Sequence, residues 1–407
     1  MLLRTKAWTE PPMIRNVRLF ALTAAVGLTG GLSCGGSRAG SGVSSDTPSA
    51  CPAGDAVPAG VLATGQPMPS GVVVDCSNVY WINVGTPPPA TGEKPTGSYT
   101  GGQLMKCAIA GCGNNPTVLA SGRQQGLTQG TPLPIALDAT SVYWDDSTPL
   151  SSDPTGFAHL FKCSIGGCDN APTEVAPGFA YALAVDGSSA YWTTYEQTQI
   201  MECPLGGCAS PTVLTPVTRP PTGIAVDATS IYWAIQLGGV MKCAKSGCES
   251  SLTSLVAGLM EPTPGVTPPG GGPADAVSEL GPIALDDTSV YVVDTYASGL
   301  GQILKCAKSG CNNNPTTLAS GLNGAVGIAV DADNVYWTET GNNVVAGQTV
   351  TGAGRVAKCA VGGCNNSPTV IAPNQDGPAG IAVDAMHVYW ATSGASAADG
   401  KISVAAK

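Results

Sequence analysis

The chain has 407 residues, of which 43% are hydrophobic and only 11% charged, where an ordinary soluble domain carries about a quarter. With 54 glycines, 33 prolines and 4 phenylalanines, it is too apolar to be disordered and too rich in turn formers to be helical, so it reads as many short strands joined by turns. The net charge of −10 excludes nucleic acid as a partner, because a phosphate backbone needs a basic surface.

The chain opens on an address. Arg15 and Arg18 precede an apolar run at 19–28, and small residues lead to Cys34. Charged, apolar and small segments in that order make residues 1–34 an export signal, with Met13 a more natural start than Met1. The end of it, Gly31-Leu32-Ser33-Cys34-Gly35-Gly36, resembles a bacterial lipobox, although Gly31 stands where that motif carries Leu, Val or Ile. The resemblance implies a lipid on Cys34, which would become the mature N-terminus; plain secretion with cleavage nearby is the alternative. Residues 35–60, rich in Gly, Ser, Ala and Pro, are a flexible tether. No other stretch approaches the ~20 apolar residues of a membrane span, so the membrane is reached only through the anchor.

From residue 61 onward a repeat takes over. An apolar tripeptide followed by Asp recurs seven times, at Asp75, Asp138, Asp186, Asp227, Asp286, Asp331 and Asp384. Five residues after each stands a tyrosine: Tyr80, Tyr143, Tyr191, Tyr232, Tyr291, Tyr336 and Tyr389. Trp follows the tyrosine in six units, and Val292 replaces it in the fifth. A strand ending in Cys, a Cys-x4-Cys turn and a Pro-Thr-Val-Leu-Ala-like run complete the unit. Each unit therefore predicts four short strands, a to d, with a tight turn between a and b. Four-stranded units at this spacing around a channel are a β-propeller. The chain ends argue against an open solenoid. The last unit stops after strand c at Lys407, and its missing strand d appears at 61–65 as Val-Leu-Ala-Thr-Gly. The expectation is an all-β, seven-bladed propeller over 61–407, its ring closed by that N-terminal strand.

Gly-Ile-Ala-Val-Asp followed by Val-Tyr-Trp-Thr resembles the YWTD and NHL propeller families across 61–407. Those families imply protein-binding surfaces, and related propellers include lactonases and lyases. The position of the final Asp of YWTD is variable here: Asn83, Asp146, Thr194, Ile235, Asp294, Glu339 and Thr392. The seven units also depart from the usual six blades of YWTD propellers.

Six Cys-x4-Cys pairs, Cys107/Cys112, Cys163/Cys168, Cys203/Cys208, Cys243/Cys248, Cys306/Cys311 and Cys359/Cys364, each carry Gly before the second Cys. A hairpin position of positive φ accounts for that Gly. One disulfide per c–d hairpin is the reading, as an oxidising compartment allows. Each is expected as a staple at the blade periphery, where burial is least complete. Zinc would need two pairs to converge, and haem attachment would need His after the second Cys. Cys51 and Cys76 remain, and a bridge between them would join the tether to the first a–b turn.

Strand alternation puts the a–b and c–d turns on one face and the b–c and d–a loops on the other. The long insertions all fall on the second face, as b–c loops at 83–101, 145–157 and 338–354 and a d–a loop at 260–280. Variable loops on a rigid scaffold are where binding resides, so candidate binding residues are Tyr99, Asp145, Asp146, Asp153, Glu261, Asp275, Glu339 and Asn342. Shorter loops add Tyr195, Glu196, Asp294 and Tyr296. Catalytic signals are thin, with two histidines, His159 and His387, and no nucleophile-elbow, zincin or phosphate-loop motif. The seven repeat aspartates are expected to hydrogen-bond the turns that follow them. Asp145, Asp146, Asp294 and Glu339 stand just after strand b. Either they converge on a cation, as a metal-dependent hydrolase requires, or they splay outward among Tyr99, Tyr195 and Tyr296 as a contact surface. The second arrangement is the expectation, with no metal, cofactor or catalytic residue assigned. The partner expected is protein, peptide or glycan, and the chain is expected to be a monomer. A purely structural envelope role is the further alternative.

Overall fold

The structure, a computed structural model, describes residues 59–86, 99–125, 132–146, 158–236, 239–257, 278–296, 300–345, 348–351, 354–394 and 399–407. Cys34, Cys51, Asp153, Glu261 and Asp275 lie outside them. Seven four-stranded antiparallel sheets follow one another, each ordered a-b-c-d. Blades 1 to 6 occupy residues 69–125, 135–177, 182–216, 221–257, 278–323 and 325–375. Blade 7 combines strands Pro378–Val383, His387–Thr392 and Gly400–Ala406 with the N-terminal strand Gly60–Gln66. That strand pairs with strand c through Gly60↔Val404, Val61↔Ser403 and Gln66↔Gly400. The two ends of the repeat array complete one blade, as the sequence predicts.

Burial falls from the channel outward. In blade 4, strand a (Pro221–Val226) is buried at every position, whereas strand d (Thr253–Ala257) is exposed at its first two residues and its last. A strand covered on both faces by neighbouring blades is apolar without alternation, which is why the Ile-Ala-Val runs are continuous. The Trp side chains of strand b, among them Trp81, Trp144, Trp192, Trp233 and Trp337, are fully buried. The Gly that opens the motif has a structural reason of its own. A Cβ on Gly71 would lie 2.3 Å from the Leu133 carbonyl oxygen, and one on Gly380 would lie 2.3 Å from that of Ser70. At these two places strands a of adjacent blades approach that closely, and a side chain would force them apart.

Every repeat Asp makes the same clamp. One carboxylate oxygen accepts the backbone N–H groups two and three residues on, as Asp227 does from Thr229 (3.0 Å) and Ser230 (2.9 Å). The other accepts the hydroxyl of the tyrosine five residues on, at 2.5–3.2 Å in all seven blades. This ties turn a–b to the body of strand b and accounts for the fixed Asp-to-Tyr spacing.

All six Cys-x4-Cys pairs are bonded within themselves, Cys107–Cys112, Cys163–Cys168, Cys203–Cys208, Cys243–Cys248, Cys306–Cys311 and Cys359–Cys364, with Cα–Cα separations of 4.8–5.9 Å. Cys76 is disulfide-bonded as well, while Cys51, its expected partner, lies outside the described residues. The hairpin glycines have positive φ in five of the six pairs, for example 105° at Gly111. Gly247 is extended at φ 173°, and in blade 4 a one-turn helix, Cys248–Ser251, follows the hairpin turn.

These bridges join the two outer strands of their blades, as expected, but they are more buried than that position suggests. The first Cys of each pair is buried, and so is Cys248. Cys112, Cys168, Cys208, Cys311 and Cys364 are half-buried rather than exposed. The reason is that the c–d turn of one blade packs over strand d of the blade before it. The sulfurs of Cys112 and Cys168 lie 3.7 and 3.4 Å from the Leu62 and Leu119 carbonyl oxygens. Those of Cys311 and Cys364 each lie 3.5 Å from the carbonyls of Leu255 and Leu318. Cys208 makes the same contact through its backbone, donating its N–H to the Val175 carbonyl at 2.9 Å. The disulfides therefore sit in the seams between blades.

In four blades an asparagine just after the second Cys, held at positive φ, reaches across to strand d of the blade before. Asn114 accepts the Thr64 N–H at 2.6 Å, Asn170 that of Ser121 at 2.6 Å, Asn313 that of Ala257 at 2.8 Å and Asn366 that of Ser320 at 2.6 Å. The first of these hooks blade 1 onto the ring-closing strand itself.

Candidate binding face

On the a–b/c–d face the clamps are linked from blade to blade. Lys245 of blade 4 reaches back to Asp186 of blade 3 at 2.5 Å, Lys308 to Asp227 at 2.9 Å and Lys407 to Asp331 at 2.5 Å. Lys106, Lys162, Lys242 and Lys305 of strands c donate to backbone carbonyls of the following blade. Burial alone would push the Asp186 and Asp227 carboxyls up, but the ammonium groups and turn N–H donors outweigh it and hold both at about 2. These lysines and aspartates all have a task in the scaffold.

Down the channel, residues in or just before strands a come together from all seven blades: Gly71, Pro132, Ala182, Gly223, Pro282, Gly327 and Gly380. They leave about 20 Å³, room for about one water molecule. Among the described residues, no carboxylate, imidazole or amine lines it. A ligand of any size must therefore sit on the rim of the channel rather than inside it.

The four carboxylates do not form the outward surface expected of them. Asp145, Asp146, Asp294 and Glu339 are all buried, each engaged within its own part of the ring. Glu339 accepts the Trp337 indole N–H at 2.9 Å, the Arg355 Nε–H at 2.7 Å and the Asn323 backbone N–H at 2.9 Å. Asp294 accepts the Gln302 amide at 2.8 Å. Asp146 lies 3.4 Å from the Trp144 indole nitrogen. Asp145 accepts the Ala180 N–H of blade 3 at 2.9 Å, and burial holds its carboxyl well above the usual carboxylate range. The reason is strand alternation. Strand b continues through these positions, to Asp146, Tyr296 and Glu339 in blades 2, 5 and 6. The residue two beyond Trp therefore shares its face and caps its indole. Asn83 does the same for Trp81 at 3.0 Å. The variable last position of the Tyr-Trp-x-x motif is thus an indole cap in blades 1, 2 and 6.

Of the other candidates, Tyr99 opens strand c of blade 1 (Tyr99–Ala108) and is half-buried. Asn342 begins a small hairpin, Asn342–Val345 with Gln348–Thr351, inserted between strands b and c of blade 6. Tyr296 is half-buried and accepts the Gln302 amide at 2.7 Å, and burial with the Asp294 charge raises it to about 12. Glu196 is exposed. His159 is buried with Nδ1 2.8 Å from Glu174, and His387 starts strand b of blade 7.

The structure brings Tyr195 into a group that the sequence pattern does not mark. Its ring lies 5.0 Å from that of Tyr181, tilted by 31°, and Tyr181 sits at the channel rim. The Tyr195 hydroxyl donates to Gln236 of blade 4 at 3.3 Å, and the Gln236 amide donates to Glu279 of blade 5 at 3.2 Å. Two aromatic rings, an amide and a carboxylate thus run in a line over three blades on the loop face. Among the described residues, no three His, Cys, Asp or Glu side chains gather as a metal site would require.

No known protein-family profile matches the sequence, and no curated protein does. Solved structures do match. A virginiamycin B lyase from Staphylococcus aureus superposes with a TM-score of 0.52 at 12% identity, covering 83% of this chain and 94% of that one. A nidogen/laminin complex gives 0.42 at 14% identity, covering 65% and 88%. These likenesses are of fold. Among the described residues no helix is long and apolar enough to cross a membrane.

Proposed function

We propose that the chain is an exported propeller, lipid-anchored through Cys34, that binds a protein, peptide or glycan on its b–c/d–a loop face. One observation carries this reading. The two faces are built from the same repeat, yet the clamps and disulfides recur on one, while insertions and the Tyr181–Tyr195–Gln236–Glu279 line fall on the other. The six disulfides fit an oxidising compartment outside the cytoplasm. An arrayed panel of glycans and peptides probed with the mature protein tests the reading. Binding is expected to weaken on substitution of Tyr195 or Glu279 and to survive loss of Lys308 on the opposite face. Equal sensitivity to both faces, or to neither, would defeat it. Intact-mass measurement on native protein tests the anchor, which fails if the species is unlipidated and starts elsewhere.

A hydrolase or lyase of the lactonase-like propeller type is the competing reading. The carboxylates it would use are committed to indole, guanidinium, amide and backbone donors, which weighs against it.

A further inference from the structure

We infer that the Tyr181–Tyr195 pair, with Gln236 and Glu279, is a shelf for hexopyranose units of an uncharged polysaccharide. This deepens the binding reading above and rests on it.

The repeat acts as its own control. The slot occupied by Tyr181, two residues before the apolar run of strand a, holds Ser70, Leu133, Thr222, Gly281, Val326 and Ala379 in the other blades. The slot of Tyr195, three after the Trp position, holds Val84, Ser147, Gln236, Thr295, Thr340 and Ser393. Six blades fold without an aromatic residue at either place, so the blade has no need of one. The only two exceptions fall in the same blade, touch each other and stay partly exposed, with Tyr181 at the channel rim.

What stands beside them narrows the ligand. A tyrosine pair alone would suit any apolar group. Here the pair continues directly into an amide and an exposed carboxylate, pre-positioned by the hydrogen bonds Tyr195–Gln236 and Gln236–Glu279. The amide keeps a second N–H and the carboxylate a second oxygen for a ligand. A pyranose chair matches that order, with C–H groups over one face to lie on the rings and equatorial hydroxyls at its edge for the polar groups. An acidic end and a net charge of −10 repel anionic sugars. Because the channel below admits about one water, the sugar lies across the rim. Internal units of a polymer fit this better than a monosaccharide held in a pocket.

Isothermal titration of the mature protein with cellohexaose and with chitohexaose tests this. Saturable binding of at least one is expected, weakened about tenfold or more, ~1.4 kcal/mol, by Tyr181→Ala and by Tyr195→Ala. The thermal midpoints should stay close to that of the wild type. Tyr195→Phe keeps the ring and should retain most of the affinity, while Glu279→Gln should lose part of it, so the result does not hang on one variant. Absence of saturable heat with either sugar up to ~10 mM, or affinities unaltered by the tyrosine substitutions, overturns the shelf. A parallel titration with hexalysine separates the failures. If hexalysine binds through Glu279 while neither sugar does, the face is a basic-peptide site, so the sugar assignment falls and the binding module stands. If no probe binds and the arrays find none that depends on the loop face, both fall.

Discussion

The two faces of this propeller are made by the same seven-fold repeat and are held together differently. On the a–b/c–d face an Asp–Tyr clamp recurs in every blade, lysines join three of those clamps to the next blade, and asparagine hooks and disulfides seal the seams. On the b–c/d–a face less recurs among the described residues, a backbone tie such as Gln236 N–H to the Pro220 carbonyl in four blades and an indole cap in three, and carboxylates that look available in sequence are drawn into the blades. Repetition marks what the scaffold needs, and exceptions to it mark what the scaffold does not need. The first face is therefore where substitutions should cost stability, and the second is where they should cost binding.

The largest effect should come from the one place where the repeat is split. Deleting 60–66 removes a strand that blade 7 pairs with along its length and that Asn114 of blade 1 holds from the other side. The ring then has an open seam, and the loss should approach the whole stability of such a domain, about 5–15 kcal/mol. Urea unfolding should show no native baseline. A deletion ending at residue 50 should behave as the full chain does, since it spares both the strand and Cys51. Next comes Gly380→Ala, whose new methyl group meets backbone rather than a movable side chain. It should cost about 3 kcal/mol, the upper end for overpacking, whereas Gly187→Ala, with open space around it, should cost far less.

These large effects sit where the sequence is easiest to read. Seven aspartates at one spacing from seven tyrosines, six Cys-x4-Cys pairs and a stray strand d at the start of the chain are periodic signals. Periodicity survives even when single positions vary, as Val292 does for Trp. The pairing of the cysteines is legible in this way, but their depth is not. Whether Cys112 or Cys364 meets solvent depends on a blade some fifty residues earlier in the chain. The asparagine hooks are hidden for the same reason, since each joins residues about fifty apart, such as Asn114 and Thr64. The fate of Asp146 and Glu339 is misread for a different reason. Ending strand b at the Trp makes the residues beyond it loop, whereas two more residues of strand put them on the buried face. Tyr181 leaves a signal of the opposite kind, a single blade that departs where the others agree, and a search for what recurs passes over it.

The two faces should also respond to pH with opposite sign. Asp186 and Asp227 titrate at about 2 in the folded chain, against ~3.9 when unfolded. The unfolded chain thus binds more protons across that window, and stability is full above ~4 and declines as pH falls towards 2. Asp145 is raised instead, so the folded chain binds more protons above ~3.9 and this group removes stability as pH rises. Urea unfolding between pH 3 and 8 should therefore show Asp145→Asn gaining on the wild type as pH rises, since an amide oxygen can still accept the Ala180 N–H. Asp227→Asn should lose its deficit as the pH is lowered. Parallel curves for the two variants would mean that the faces do not differ as described.

The smallest effect makes the sharpest test. Tyr232 and Tyr195 both donate a hydroxyl to a side-chain oxygen, at 2.8 Å and 3.3 Å respectively. Tyr232 is buried and its acceptor is a carboxylate that also holds a turn and an ammonium group. Removing that donor by Tyr232→Phe leaves a half-buried charge short of a partner and should cost about 1.5–3 kcal/mol. Tyr195 is half-exposed and its acceptor is an amide that water can reach, so Tyr195→Ala and Glu196→Gln should each stay within ~0.5 kcal/mol of the wild type. The comparison is stringent because the alanine variant deletes an entire ring and the phenylalanine variant a single oxygen. If the larger deletion proves the costlier one, the tyrosine pair is part of the scaffold, and the division between a face that holds the ring together and a face that meets its ligand loses its main support.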